Sequence, residues 1–391
     1  MNTSVETKHN SFKTLQLGLE WFPEGGGGLD RYYYDCCQYL PQADIQVTGL
    51  LAGSDKVIKD SNGQVTAFSS PEDSLIQRWL KIRRVFNQTL SANQYDLIVS
   101  HFALYTFPIL NQFQNLPLVI HFHGPWALES DVEKPKPVAI WVKKQIEKAV
   151  YRRSSQFIVL SQTFRDILHQ EYQVPLTKIQ IIPGGVDIDR FNINLSPTQA
   201  RSQLHWHPDR PIIFCIRRLA KRMGLENLIT AMLQVRDRYP DLLLYIAGKG
   251  ALADTLQTQI TELELTDNVK LLGYVPDEQL PLCYRAANFS VVPTVALEGF
   301  GLIVVESLAA GTPVLGTPIG GIPEILRPFS ADLVFEGYQP EQLARGIIEA
   351  LSGDRILPSS QACLEYVREN YDWKIIAQKI KLVYQNVLKE K

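Results

Sequence analysis

The sequence predicts an α/β protein made of two Rossmann-like halves, each a parallel sheet covered by helices. Three observations lead there. Apolar runs of strand length alternate with amphipathic segments of helix length along the chain, the pattern of parallel strands joined by crossover helices. The runs form two sets, separated by a polar stretch with an internal proline at Asp187–Pro208. The chain has 391 residues, more than one hydrophobic core ordinarily supports.

The first set of expected strands is Leu15–Leu19, Ile45–Leu51, Tyr95–Val99, Leu116–Phe122, Phe157–Leu160 and Ile179–Ile182. The second is Ile212–Ile216, Leu242–Ile246, Val269–Leu272, Phe289–Val292 and Val314–Leu315. This divides the chain into a polar, disordered lead-in at 1–13, an N-terminal domain at 14–190, a linker at 191–208 and a C-terminal domain at 209–372. The last segment, 373–391, reads as an amphipathic helix, with Trp373, Ile376, Ile380, Val383 and Val387 recurring at three or four. Periodicity alone leaves open whether that helix covers its own domain or crosses to the other.

Composition removes several function classes. Net charge is −2, so there is no global pull towards nucleic acid. No apolar run reaches the ~18 residues of a membrane span, and the first residues lack a signal-peptide core. Five cysteines without a Cys-x-x-Cys pair argue against zinc and disulfide frameworks. A reducing cytosol is the expected compartment.

The stretch that carries most chemistry is Glu298–Glu306, Glu-Gly-Phe-Gly-Leu-Ile-Val-Val-Glu. It follows a strand and reads as a loop entering a helix that ends near Gly311 and Pro313. Glu298 then lies in the loop and Glu306 about two turns into the helix. Gly299, Phe300, Gly301 and Leu302 form the helix mouth, where free N–H groups and the positive dipole end favour a phosphate. Two hydroxyl acceptors around a phosphate perch suit a nucleotide sugar. The plain alternative is an acidic helix start with a glycine cap.

Other stretches point the same way. Gly25–Gly28 follows the first strand and precedes a helix at Leu29–Tyr39, allowing close approach of an anion; the alternative is a flexible surface loop. The dinucleotide pattern Gly-x-Gly-x-x-Gly is absent, and Asp44 precedes its strand, so it cannot serve as the ribose carboxylate. His121 and His123 project to one side of a strand; a metal site fails there for want of obvious further ligands. A histidine at a strand's C-terminal end sits at the crevice where such sheets bind ligands. Arg217, Arg218, Lys221 and Arg222 crowd a strand-to-helix turn, a natural diphosphate clamp or else a solvated basic turn. A basic segment, Lys134–Arg153, holds Trp141 and Val142, and a second patch holds Trp79, Lys81, Arg83 and Arg84. Each reads as a surface for anionic lipid or as a solvated face.

Taken together, Glu298–Glu306, the glycine loop and the basic turn resemble the retaining glycosyltransferases of family 4, from about Leu15 onward, with the second half the more specific. The resemblance implies a GT-B fold, two Rossmann-like domains facing a central cleft. By resemblance, Glu298 meets the transferred sugar and Glu306 the ribose. His123, directly before Gly124, would touch the sugar, while His121 is a satisfied strand residue. Gly27 and Gly28 would lie against the donor diphosphate, and Gly248 and Val275 belong to loops framing the base. The family pattern Gly-Arg-Leu, three residues, Lys-Gly is broken here. Arg217 replaces the Gly, and Met223 stands in the Lys position. Arg218 matches the family Arg; Arg222 is favoured over Lys221 as the second cation, and Met223→Lys should be tolerated. Asp187-Ile188-Asp189 mimics a metal-binding Asp-x-Asp, but the fold needs no divalent ion, so neither metal nor cofactor is expected.

The expected function is transfer of a hexose, foremost glucose from UDP-glucose, with retention, to a saccharide or lipid-linked saccharide acceptor in polysaccharide or glycoconjugate biosynthesis. The expected location is the cytoplasm, with peripheral contact to the inner face of an anionic membrane. Kept beside it are a nucleotide-sugar epimerase or glycogen- or sucrose-type soluble enzyme, a non-catalytic sugar-nucleotide-binding protein, and a nicotinamide-dependent oxidoreductase, the last disfavoured by the missing ribose carboxylate.

Overall fold

The computed structural model describes residues 11–390 except 23, 114, 134 and 135. The first half holds β1 (Phe12–Glu20), β2 (Ile45–Ala52), β3 (Val65–Ser69), β4 (Leu97–Ser100), β5 (Leu118–Phe122), β6 (Gln156–Val159) and β7 (Ile179–Ile181). The second holds β8 (Ile212–Ile216), β9 (Leu243–Ala247), β10 (Val269–Gly273), β11 (Phe289–Val292) and β12 (Val314–Gly316). All pairings within the two sheets are parallel, in the orders β3-β2-β1-β4-β5-β6-β7 and β10-β9-β8-β11-β12. The strands are apolar through because helices cover both faces of such sheets. In β8, for example, Ile212 to Cys215 are all buried.

Three sequence expectations change. β3 was not expected: it is a five-residue edge strand, Val-Thr-Ala-Phe-Ser, too short and mixed to stand out. Lys13 and Phe12 belong to β1, so the lead-in is shorter than 1–13; residues 1–10 lie outside the described residues. The stretch between the halves is not featureless. It carries the helix Pro197–Leu204, capped by Ser196, whose buried Arg201 donates to the carbonyls of Ala286, Pro208 and Arg210 and to Asn288 Oδ1. These bonds fasten the segment to the second half.

The strand orders create one reversal in each sheet, between β1 and β4 and between β8 and β11. At a reversal the neighbouring crossovers leave in opposite directions and open a crevice beyond the strand ends. The loops that the sequence singles out lie there, Gly25–Gly28 after β1, Arg217 and Arg218 after β8, and Glu298 after β11, together with His101 after β4, which it did not.

The last helix, Trp373–Lys389, packs against the first half. Its buried face, Trp373, Ile376, Ile380, Tyr384 and Val387, shares a core with Phe12, Trp21, Tyr32, Val47 and Ile182. Trp373 Nε1 donates to Asp35 Oδ2 at 3.1 Å, and Lys381 reaches Asp44 at 2.9 Å. A Cβ on Gly185 would come within 2.5 Å of the Trp373 ring, so this position requires glycine.

Candidate active site

The loop after β11 is built by backbone contacts that leave little freedom. Gly301 caps the helix Leu302–Ala309 with φ +90°, a conformation a side chain would strain. Gly320 has φ +60°, and a Cβ there would lie 1.9 Å from the Glu298 carbonyl. That carbonyl accepts from the Gly321 N–H at 3.0 Å. Glu298 is thus pinned from below by a tight glycine turn.

Its side chain meets Arg217. The Arg217 Nη2 donates to Glu298 Oε2 and to Thr294 Oγ1. Burial pushes the Glu298 carboxyl up, but the Arg217 charge and hydrogen bond, helped by Arg222 and Thr294, hold it below its ordinary value. Arg217 Nε is buried without a partner. The sequence counted Arg217 among the four cations of the basic turn and as a departure from the family glycine; the structure places it on Glu298, the candidate sugar-facing carboxylate.

The helix starts at Leu302, so Glu306 is little more than one turn inside it rather than two. Its Oε2 accepts from Tyr284 OH at 3.1 Å. Burial raises its carboxyl above the ordinary value, against the lowering pull of Arg31 and Tyr284. Arg31 comes from the other half, on the helix Gly28–Tyr39, and donates to Asp277 Oδ2 at 2.7 Å and to Asp35 Oδ2 at 3.2 Å. It is a cation acting on Glu306 to which the sequence analysis assigned no role, although it follows Gly27-Gly28-Leu29-Asp30 directly.

The Phe300 side chain and the Cα of Gly299 are committed to packing. Phe300 is buried against Tyr371, and a Cβ on Gly184 would strike its ring at 2.8 Å. Gly299 lets Phe164 of the first half approach to 2.5 Å of where its Cβ would be. The glycine loop is likewise half committed. The Gly27 N–H donates to Asp30 Oδ2 at 3.1 Å, and Asp30 also accepts from the Glu20 N–H at 3.2 Å. Burial, with the neighbouring Glu20, pushes the Asp30 carboxyl up to about 7. Gly28 is exposed and faces Leu302, whose Cδ1 lies 3.9 Å from where a Gly28 Cβ would be. The glycine loop and the helix mouth therefore confront each other across the two halves.

The basic turn divides its cations. Arg218 and Lys221 are exposed. Arg222 is largely buried, donating from Nη1 to the Leu297 carbonyl at 2.9 Å, with Nη2 3.6 Å from Glu129 of the first half. Met223 is 6% exposed in the second core. Its side chain points away from the cleft, so a lysine there would bury its charge, contrary to the tolerance expected from sequence. Gly248, with φ +136°, lets β9's end pass the Arg217 carbonyl, 1.9 Å from an added Cβ. Val275 lies half-buried beyond β10.

His123 directly follows β5 and lies beside Tyr32, its ring edge-on at 4.7 Å between centroids. His121 is buried and satisfied, its ring nitrogens bonded to Tyr32 OH at 3.2 Å and Tyr384 OH at 2.7 Å. A third histidine, His101, joins them, so the expected lack of a further candidate ligand does not hold. The three offer nitrogens within 4.8 Å of one another. The His101 and His123 planes lie 17° apart with centroids 5.4 Å apart and Nδ1 of His101 3.1 Å from Nε2 of His123, so these two rings meet edge to edge through a hydrogen bond in their common plane. The His101 and His121 rings are 28° from parallel with centroids 4.6 Å apart. Burial lowers all three imidazoles, His123 to about 3.

The two lipid patches also change. Lys143 bonds Ser130 and lies over Trp126, and Lys144 pairs with Glu171. Trp79 packs on Phe107, Lys81 pairs with Asp73, and Arg83 bonds Pro108 and Asn111. Val138, Trp141 and Val142 remain exposed on one face of the helix Pro137–Arg153. Lys134 lies outside the described residues. No helix among the described residues is long and apolar enough to cross a membrane.

Two Rossmann-like halves meeting across a helix mouth, with a glycine loop opposite it, form the GT-B fold of glycosyltransferases. The chain belongs to that class: residues 26–190 match the model of glycosyltransferase family 4, and residues 197–370 that of the glycosyl transferases group 1. Among relatives, it is 31% identical over 237 residues to an uncharacterized glycosyltransferase of Methanocaldococcus jannaschii, covering 59% of this chain and 60% of that protein. It is 29% identical over 213 residues to the GDP-mannose-dependent alpha-(1-6)-phosphatidylinositol monomannoside mannosyltransferase of Mycobacterium tuberculosis, covering 53% and 55%. The match thus spans little more than half the length of these curated relatives. In fold it resembles a sucrose-phosphate synthase of Thermosynechococcus elongatus, with TM-score 0.81 at 22% identity over 97% of this chain and 100% of that one. It also resembles HepE of Anabaena, solved in complex with UDP-glucose, with TM-score 0.76 at 20% identity over 96% and 100%.

Proposed function

We propose that the chain transfers a hexose from a nucleoside diphosphate to a hydroxyl of a saccharide or lipid-linked saccharide, with retention at the anomeric carbon. The observation that carries this is the pairing of Glu298 and Glu306 on either side of the Leu302–Ala309 helix mouth, facing the glycine loop of the other half. A diphosphate seated at that mouth meets the helix N–H groups and the cations Arg218 and Arg222. Its departure develops negative charge, which fixed donors stabilise without a general acid. Glu306, with Arg31 alongside, receives the ribose hydroxyls, and Glu298 and His123 orient the hexose. Front-face attack then lets the acceptor hydroxyl pass its proton to the departing phosphate, so Glu298 needs no covalent role and no divalent ion is required.

UDP-glucose is the donor of this reading. GDP-mannose is the second, favoured by the mannosyltransferase among the sequence relatives. The exposed face of Val138, Trp141 and Val142 supports peripheral contact with a lipid surface on the acceptor side. The test is release of free nucleoside diphosphate from a donor panel, with and without a lipid extract, in the presence and absence of chelator. Release that needs an acceptor and survives chelation supports transfer. Conversion of the nucleotide sugar without release favours the epimerase, and loss of activity on chelation with rescue by Mn²⁺ overturns the metal-free reading.

A further inference from the structure

A line of buried polar groups runs from β2 through β1 and the end of β4 to His123. Its first bond sets its direction. Thr14 Oγ1 donates to the Gln46 carbonyl at 3.1 Å, which can only accept. The Thr14 oxygen is then left to accept, and Gln16 Nε2 donates to it at 3.1 Å. Reversing the Gln16 amide would set two acceptors against each other, so Gln16 Oε1 is the atom that faces His101. His101 Nε2 lies 3.1 Å from that oxygen and must carry the proton. His101 Nδ1 is consequently a lone pair, 3.1 Å from His123 Nε2, which must donate. His123 Nδ1 is left unprotonated and has no protein partner among the described residues. Thr14, Gln16 and His101 are 0–2% exposed, so water cannot supply a substitute partner.

We infer that Thr14, Gln16 and His101 are positioning residues that lock His123 into the Nε2–H form, so that it offers Nδ1 as a hydrogen-bond acceptor to a hydroxyl group. Burial keeps His101 and His123 neutral, so neither becomes the doubly protonated ring that would break the chain. The Tyr32 edge and the parallel His101 ring hold the imidazole in place. The inference rests on the reading that His123 faces the sugar, and it adds what the sugar must present there. The ligand group is a hydroxyl that donates. A donor deoxygenated at that position, or one with a keto or methoxy group there, is discriminated against.

The tautomer can be read without substrate. Long-range ¹⁵N–¹H correlation spectra of the protein labelled at its seven histidines, with His123 assigned by its loss in His123→Ala, should show the His123 proton on Nε2. A proton on Nδ1, or averaging between both forms, overturns the relay. His101→Leu removes the acceptor and should abolish the preference. It should lower kcat about tenfold with little change in UDP affinity. His101→Asn, whose Oδ1 falls where Nδ1 stood, should recover most of both. Equal losses for Leu and Asn, or UDP affinity falling in parallel with kcat, would mean that His101 is only structural. An Nε2–H signal with an unimpaired His123→Ala enzyme would leave the relay standing and remove the sugar contact. A reversed tautomer with a crippled His123→Ala would do the opposite.

Discussion

Arg217 holds Glu298: its Nη2 bonds the carboxylate that the family resemblance assigns to the sugar, and the same nitrogen bonds Thr294. The pairing places a guanidinium where the family pattern has no side chain. A hydroxyl approaching Glu298 meets a carboxylate already neutralised on one oxygen.

Removing Arg217 should therefore release that carboxylate. With Arg217→Gly the main lowering influence on Glu298 is gone and burial dominates, so its carboxyl should rise from below its ordinary value of 4.5. The pair stabilises the fold above the unfolded carboxylate value, and that contribution disappears as pH falls through the lowered folded value. The variant should lose about 3–5 kcal/mol at neutral pH, as when one partner of a buried pair is removed. The acid limb of kcat/KM should move to higher pH. Adding Glu298→Gln should restore part of the stability. An acid limb that stays in place means Glu298 is not the titrating group.

The diphosphate clamp can be tested by register. Arg218→Ala and Arg222→Ala should each cost about 2–4 kcal/mol in kcat/KM, as loss of one preorganised charge donor does. Lys221→Ala, at an exposed site, should cost far less. Met223→Lys should lower the melting temperature, because that side chain is in the core. If Lys221→Ala is the crippling change, the phosphate reaches the turn one residue earlier than the clamp requires.

Glu306→Ala should weaken UDP binding by about 1.5–3 kcal/mol for each charged hydrogen bond to the ribose. Calorimetry with UDP alone measures this without the sugar. An unchanged affinity would remove Glu306 from the ribose and leave it as the partner of Tyr284.

Trp373→Ala should destabilise the protein by about 3–5 kcal/mol, the usual cost of emptying a large aromatic site. Because the ring packs on the first half, the loss should be seen in hydrogen exchange at β1 and β2 as well as at the C-terminus. Protection lost at the C-terminal helix alone would mean the helix contributes nothing to the first half's stability.

The helix Pro137–Arg153 should bring the protein to vesicles through its exposed apolar face. Trp141→Ser should weaken sedimentation with anionic liposomes, and added salt should weaken it only in part, since Lys143 and Lys144 are already engaged within the protein. Binding abolished by modest salt and indifferent to Trp141→Ser would show that charge alone is responsible.

The local pattern of the chain determined the two-sheet architecture, eleven of the twelve strands and the loop–helix unit around Glu298. Buried parallel strands must be apolar throughout, and a helix mouth needs its glycines, so both leave marks in a short window of sequence. Glu298, Glu306 and His123 could be placed in the fold for the same reason: Glu298 and His123 follow strands, and Glu306 lies inside the helix after the loop. Only the tertiary structure decided the partners. Arg217 meets Glu298 across 81 positions, Arg31 reaches Asp277 across 246, and His101 joins His123 from another strand. Such contacts depend on strand order and on how the halves close, which no local periodicity encodes. The sequence also could not tell that Phe300 and Met223 face the core, or that Asp30 holds the Gly27 amide, because which way a loop residue turns is settled by what packs against it.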